Sequence, residues 1–182
     1  MNTNKQPKIY IIPIICVGLL AAVDQLTKQI VRTSFALYES KPLIKDVFHL
    51  TYIQNTGAAW GLLKGRLFLF VVLTLAFLIV CCCLYARVKD DKRFTALRVC
   101  LVFLVSGAIG NMIDRIKLHY VVDFFDFRLI DFPVFNVADI YVTVSMFVLI
   151  ILCLFYYKDE DIDRLMSFKH HKSTKNEESE DQ

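Results

Sequence analysis

The chain has 182 residues, of which 56% are hydrophobic and 21% charged, and a formal net charge of +3 at pH 7. A soluble domain runs nearer about 45–50% apolar and about 25% charged. The apolar excess is gathered into long runs, which excludes a disordered chain, a secreted disulfide scaffold and an ordinary soluble domain. A helix needs roughly 20 mostly apolar residues to cross about 30 Å of hydrocarbon, and four segments qualify. The first span covers about 9–31, and its charge-free part stops at Val23. At about 1.5 Å per residue that part falls short of the bilayer, so the helix must run on past Asp24 and Lys28. A cleaved signal peptide is the rival reading, with Lys5 and Lys8 as the basic start and Ala21-Ala22 near a cleavage site. Three further spans favour a permanent anchor.

The loop 32–66 follows. Its segment from Val47 to Ile53 is rich in β-branched and aromatic residues and predicts a strand. Gly57, Gly61 and Gly65 suit tight turns. The second span, 67–86, carries no charge, and the third, 94–113, has Arg98 near one end and Asn111 near the other. The loop 114–136 holds a second strand-like stretch from Tyr120 to Phe132, where Phe124, Phe125, Phe127 and Phe132 alternate with acids. The fourth span is 137–157, and 158–182 reads as a charged, solvated, disordered tail. The expected fold is therefore a membrane α-helical protein: four transmembrane helices with a small extracytoplasmic β-rich cradle, residues 1–157 forming one domain.

Basic residues set the orientation. Arg87, Lys89, Lys92, Arg93 and Arg98 crowd the short loop between spans two and three. Lys5 and Lys8 precede span one, and Lys158, Arg164, Lys169, Lys172 and Lys175 follow span four. Both termini and the middle loop are expected in the cytoplasm, with 32–66 and 114–136 on the other side.

Cys16, Cys81, Cys82, Cys83, Cys100 and Cys153 all lie in apolar runs. Successive helical side chains point about 100° apart, so Cys81–Cys83 cannot converge on one metal. They read as small hydrophobes. His49 and His119 are isolated, no metal or cofactor is implied, and nothing points to nucleic acid.

The polar residues are informative by depth. Asp24 and Lys28 fall at the outer end of span one. Asn111, Asp114 and Arg115 fall at that of span three, and Asn136 and Asp139 at the start of span four. Asp123 lies in the loop between the last two. Ionisable groups in or beside hydrocarbon are costly and mark a functional site by default. Each also has a local reading. Asp24 and Lys28 can form a helix ion pair, leaving them open between brace and substrate contact. Asn136 with Asp139 can be a helix cap. Asp126 and Asp131 read as loop-surface charges. Two carboxylates held close in a weakly polar site cannot easily both ionise. One then takes a proton from water while the other polarises a carbonyl, which hydrolyses an amide without metal or nucleophile. Loop lengths allow Asp123 and Asp139 to meet.

Five ordered blocks carry a resemblance. They are Asp24-Gln25-Leu26-Thr27-Lys28; Asn55-Thr56-Gly57-Ala58-Ala59-Trp60-Gly61; Gly107 to Arg115; Val121-Val122-Asp123-Phe124; and Phe135-Asn136-Val137-Ala138-Asp139. In these the chain resembles the bacterial lipoprotein signal peptidases, or signal peptidase II. Trp60 stands where phenylalanine is common, and Ile140 where serine is common. The resemblance implies a membrane aspartyl endopeptidase. It implies that Asp123 and Asp139 are catalytic, that Asn55, Asn111, Arg115 and Asn136 line the substrate site, and that Asp24, Lys28, Gly57 and Asp114 support it. The implied substrate is a diacylglyceryl-modified prolipoprotein, cut just before the lipidated cysteine. The implied partners are membrane lipids and globomycin-type cyclic peptide inhibitors, and the implied place is the bacterial cytoplasmic membrane, with the site on the extracytoplasmic face. The readings set against this are a small transporter or channel, with ionisable groups spread through the bilayer depth, and a non-catalytic assembly or insertion factor.

Overall fold

The computed structural model describes residues 6–57, 66–88 and 91–166; Trp60, Gly61, Gly65 and the tail beyond Met166 lie outside them. Among the described residues, four helices are long and apolar enough to cross a membrane. The first, α1, runs Gln6–Ser34; α2 runs Leu67–Arg87; α3 runs Thr95–Leu118; and α4 runs Val137–Ile151 with a π-helical extension, Leu152–Tyr156. At about 1.5 Å per residue α2 is roughly 30 Å long, the thickness of a hydrocarbon core. Its side chains and those of α1 stay largely exposed, Phe68 and Ile14 among them, as lipid-facing residues must. Helix α3 is the most enclosed and packs against α1, α2 and α4. It continues four residues past Asp114, so that Asp114 and Arg115 project from a regular helix and not from the loop expected to begin there. His119 closes it in a left-handed conformation, φ 66°.

Small residues allow the close packing of α3. A Cβ on Gly107 would strike the Ala138 carbonyl oxygen of α4, and one on Gly110 would strike the Asp24 carboxylate of α1. Without side chains at these two positions the α3 backbone lies close to that of α4 and leaves room for the Asp24 carboxylate. Small residues let membrane helices pack this closely where apolar burial does not drive them together.

One end of the bundle carries a three-stranded antiparallel sheet in the order β1-β2-β3, with β1 Ser40–Ile44, β2 Phe48–Asn55 and β3 Val121–Phe127. Both expected strands are present, but the second stops at Phe127, where a 3-10 turn at Arg128–Ile130 replaces the expected continuation to Phe132. The edge strand β1 lacks the alternation that marks a half-buried strand, and Pro42 interrupts its donors, so its sequence does not announce it. Directly paired residues share a sheet face. Phe48 pairs with Phe127 and Leu50 with Phe125; beyond an irregularity, Ile53 pairs with Asp123 and Asn55 with Val121. The extra residue shifts the phase of β2 by one, which brings Asn55 onto the face of Asp123. On the reverse face Val122 and Phe124 form a buried cluster with Val31 and Tyr52 against α1.

Asp126 does not lie on the loop surface as expected. It is 9% exposed, accepts a 2.6 Å hydrogen bond from Thr51 Oγ1 and pairs with Arg128 at 3.0 Å. Its position across from His49 in the ladder turns it inward. At the other end of the bundle the chain beyond span four differs from a wholly solvated tail. Residues Asp159–Met166 form a short helix, α5, whose Asp161 accepts from Arg93 Nε at 2.7 Å, and Leu165 packs on the cluster around Phe94 and Tyr157. Burial of Cys81 and Cys100, with Cys82, Cys83 and Cys153 on the lipid-facing surface, fits their reading as small hydrophobes.

Candidate active site

Sheet and bundle meet where β3 leads back into α4. After a turn at Arg128–Ile130 the chain doubles back, and Phe135 hydrogen-bonds β3: its carbonyl accepts from Phe124 N and Phe125 N, and its N–H donates to Phe125 O at 3.1 Å. Asn136 then caps α4 with a capping box. Its Oδ1 accepts from Asp139 N at 3.0 Å, while Asp139 Oδ2 accepts from Asn136 N at 3.1 Å. The cap reading of Asn136 and Asp139 thus holds, and the same geometry brings Asp139 to Asp123. The two Asn136 amide protons reach Asp123 Oδ1 at 2.7 Å and Asn111 Oδ1 at 3.1 Å, so one residue joins both carboxylates.

The remaining asparagines complete the frame. Asn55 Nδ2 donates to Asp123 Oδ2 at 2.8 Å, and its Oδ1 accepts from Gly57 N at 2.9 Å, an Asx turn that fixes its side chain. Asn111 Nδ2 donates to Asp139 Oδ1 at 2.8 Å. Asp123 is 2% exposed. Burial, and second the charge of Asp139, push its carboxyl up to about 7, against the opposing pull of its two amide donors. A carboxyl so poised can carry a proton near neutrality.

Beneath the pair is a sealed charge cluster. Lys28 lies 2.9 Å from Asp24 and 3.2 Å from Asp114. Asp24 also accepts from Ala138 N at 2.9 Å, tying α1 to α4, and Asp114 accepts from Val122 N at 3.0 Å, tying α3 to β3. Asp24 is fully buried and absent from the cavity lining. Sequence reasoning missed Gln25, whose amide donates to Asp114 Oδ1 at 2.9 Å and to the Gly110 carbonyl at 3.1 Å. Its signal was a polar residue between the two charged positions on α1.

Asn55, Gly57, Asn111, Arg115, Asp123 and Asp139 open onto one cavity of about 500 Å³. Its apolar lining comes from Phe132, Pro133 and Val134 of the returning loop and from Ile140 and Val144 of α4. Thr143 also lines it, one helical turn beyond Asp139. The Arg115 guanidinium rests 4.7 Å above the ring of Phe70 and makes no ion pair among the described residues. Arg115 also lines the cavity beside the two aspartates. No cluster of metal-ligating side chains exists among the described residues.

Known proteins share the sequence and the fold of this chain. The family model described as signal peptidase (SPase) II matches residues 16–155. The lipoprotein signal peptidase of Halothermothrix orenii is 42% identical over 137 residues, covering 75% of this chain and 91% of its own. That of Moorella thermoacetica is 44% identical over 135 residues, with 74% and 85% covered. That of Clostridioides difficile is 41% identical over 143 residues, with 79% and 95% covered. A solved bacterial membrane enzyme superposes with a TM-score of 0.71 at 32% identity, covering 90% of this chain and 96% of that one.

Proposed function

Because the chain belongs to the signal peptidase II family and is a multi-pass membrane protein, we propose that Asp123 and Asp139 are the catalytic pair of an aspartic endopeptidase that removes signal peptides from prolipoproteins. The observation that carries this is a pair of carboxylates from two different elements, joined through Asn136 at the polar end of one cavity. In the first step Asp139 draws a proton from a water molecule, which attacks the scissile carbonyl. Protonated Asp123 polarises that carbonyl and gives up its proton to the oxygen. The C–N bond of the tetrahedral intermediate then breaks, the amine leaving with the proton returned by Asp139 while Asp123 takes a proton back from one hydroxyl, which leaves the new carboxyl group and restores both aspartates. Asn55, Asn111 and Asn136 hold the carboxyls in place, and Arg115 presents donors to substrate carbonyls. Gly57 supports the turn that holds Asn55, while Asp24, Lys28 and Asp114 support the floor.

The substrate is a precursor whose cysteine carries diacylglycerol, cut just before that cysteine. The half-apolar cavity suits it: acyl chains remain in the bilayer, where the α4 wall continues as lipid-facing surface, while the amide meets the carboxyls. The distribution of Lys and Arg supports cytoplasmic termini and an extracytoplasmic site in the bacterial cytoplasmic membrane. Globomycin-type cyclic peptides are expected to inhibit by filling the same cavity. The test is digestion of purified lipidated precursor by purified enzyme, with mass analysis of the products. The reading predicts a mature chain beginning at the lipidated cysteine and suppression by the inhibitor. Cleavage elsewhere, or none, contradicts it.

A further inference from the structure

Lys28 sits on α1 one turn beyond Asp24 and is 2% exposed. Its ammonium has three protons and meets three acceptors: Asp24 Oδ2 at 2.9 Å, Asp114 Oδ2 at 3.2 Å and Asn111 Oδ1 at 2.8 Å. The first two contacts make a brace, and the third reaches the dyad. Asn111 Oδ1 also faces Asn136 Nδ2 at 3.1 Å, so both groups opposite that oxygen are donors. Turning the Asn111 amide over would set its NH₂ against an ammonium and an amide N–H. A lysine ammonium has no acceptor to offer in exchange. The Asn111 nitrogen is thereby committed to Asp139 Oδ1, 2.8 Å away.

We propose that Lys28 is a positioning residue for the hydrolysis: by holding the oxygen of Asn111 it fixes the amide that orients Asp139. The inference rests on the reading of Asp123 and Asp139 as the catalytic pair. Lys28 does not line the cavity. Its loss therefore lowers kcat and leaves KM nearly unchanged, as for outer groups that orient a reacting ligand.

Lys28→Met alone strands two buried carboxylates without a counter-charge and threatens the fold. The double variant Lys28→Met with Asp114→Asn removes one charge of each sign, keeps the net charge of the cluster, and leaves an acceptor for Val122 N. Two readouts apply. One is kcat and KM on lipidated precursor. The other is the nitrogen-15 signal of the Asn111 side-chain amide, assigned by its loss in Asn111→Ala. The amide is expected to be rotationally locked in the wild type and averaged in the double variant, with kcat roughly tenfold or more lower and KM within about twofold. An averaged amide in the wild type overturns the proposal, and that measurement stands even if the double variant does not fold. A double variant with wild-type kcat, or with lowered kcat and a still-locked amide, overturns it as well. Wild-type protein that fails to cleave refutes the peptidase reading instead, while the amide signal still decides what Lys28 holds.

Discussion

Asp123→Asn isolates the energetic consequence of burying an acid beside another. The folded protein holds the Asp123 carboxyl at about 7, against 3.8 when free. Its folded value is raised, so the folded state keeps a proton that the unfolded chain releases. Stability from this group is fully present below about pH 3.8 and is lost progressively as pH rises through about 7. Converted at about 1.4 kcal/mol per tenfold, the whole window is worth on the order of 4 kcal/mol. Asparagine cannot titrate, so the variant loses this dependence while the other titrating groups stay common to both proteins. In detergent, the thermal midpoint of the variant minus that of the wild type should climb by roughly 10 °C between about pH 4 and pH 8. Differential scanning fluorimetry across a pH series measures this directly. Parallel curves for the two proteins would refute the burial argument, because they would mean that Asp123 has the same proton affinity folded and unfolded.

Three other outcomes follow from the same geometry. Cleavage of lipidated precursor should decline as pH rises through about 7, where Asp123 gives up its proton; an acid-side decline alone would reverse the roles of the two carboxyls. Gly110→Ala should destabilise by roughly 1–3 kcal/mol in a thermal or denaturant assay, because the new methyl meets the Asp24 carboxylate, which Ala138 N and Lys28 pin in place. Precursor without its diacylglyceryl group should be cut far more slowly in a competition digest, and equal rates would contradict the substrate class.

Some of this architecture was legible in the residues alone. Uninterrupted apolar runs mark the spans because the bilayer demands length and tolerates few charges. The polar positions of α1, α3 and α4 stand out for the same reason: Asp24, Asn111 and Asp139 interrupt stretches where polarity is expensive. What escaped depends on tertiary pairing. Whether Asp126 is buried depends on its partner across β2, and His49 and Thr51 meet it only through the ladder register. The phase shift in β2 that brings Asn55 to Asp123 has no local signature, and β1 exists because β2 offers it an edge. The helix α5 looks like tail by composition, yet the contact of Asp161 with Arg93, 68 residues away in sequence, folds it against the bundle. The hydrogen bond that ties Asp24 to α4 likewise comes from Ala138 N, 114 residues away.

The central claim is that Asp123 and Asp139 together perform the hydrolysis, and turnover by the two single asparagine variants tests it most directly. Purified Asp123→Asn and Asp139→Asn, each verified as folded by its thermal transition, should bind lipidated precursor yet release no signal peptide above background. Wild-type turnover by either variant would contradict the account.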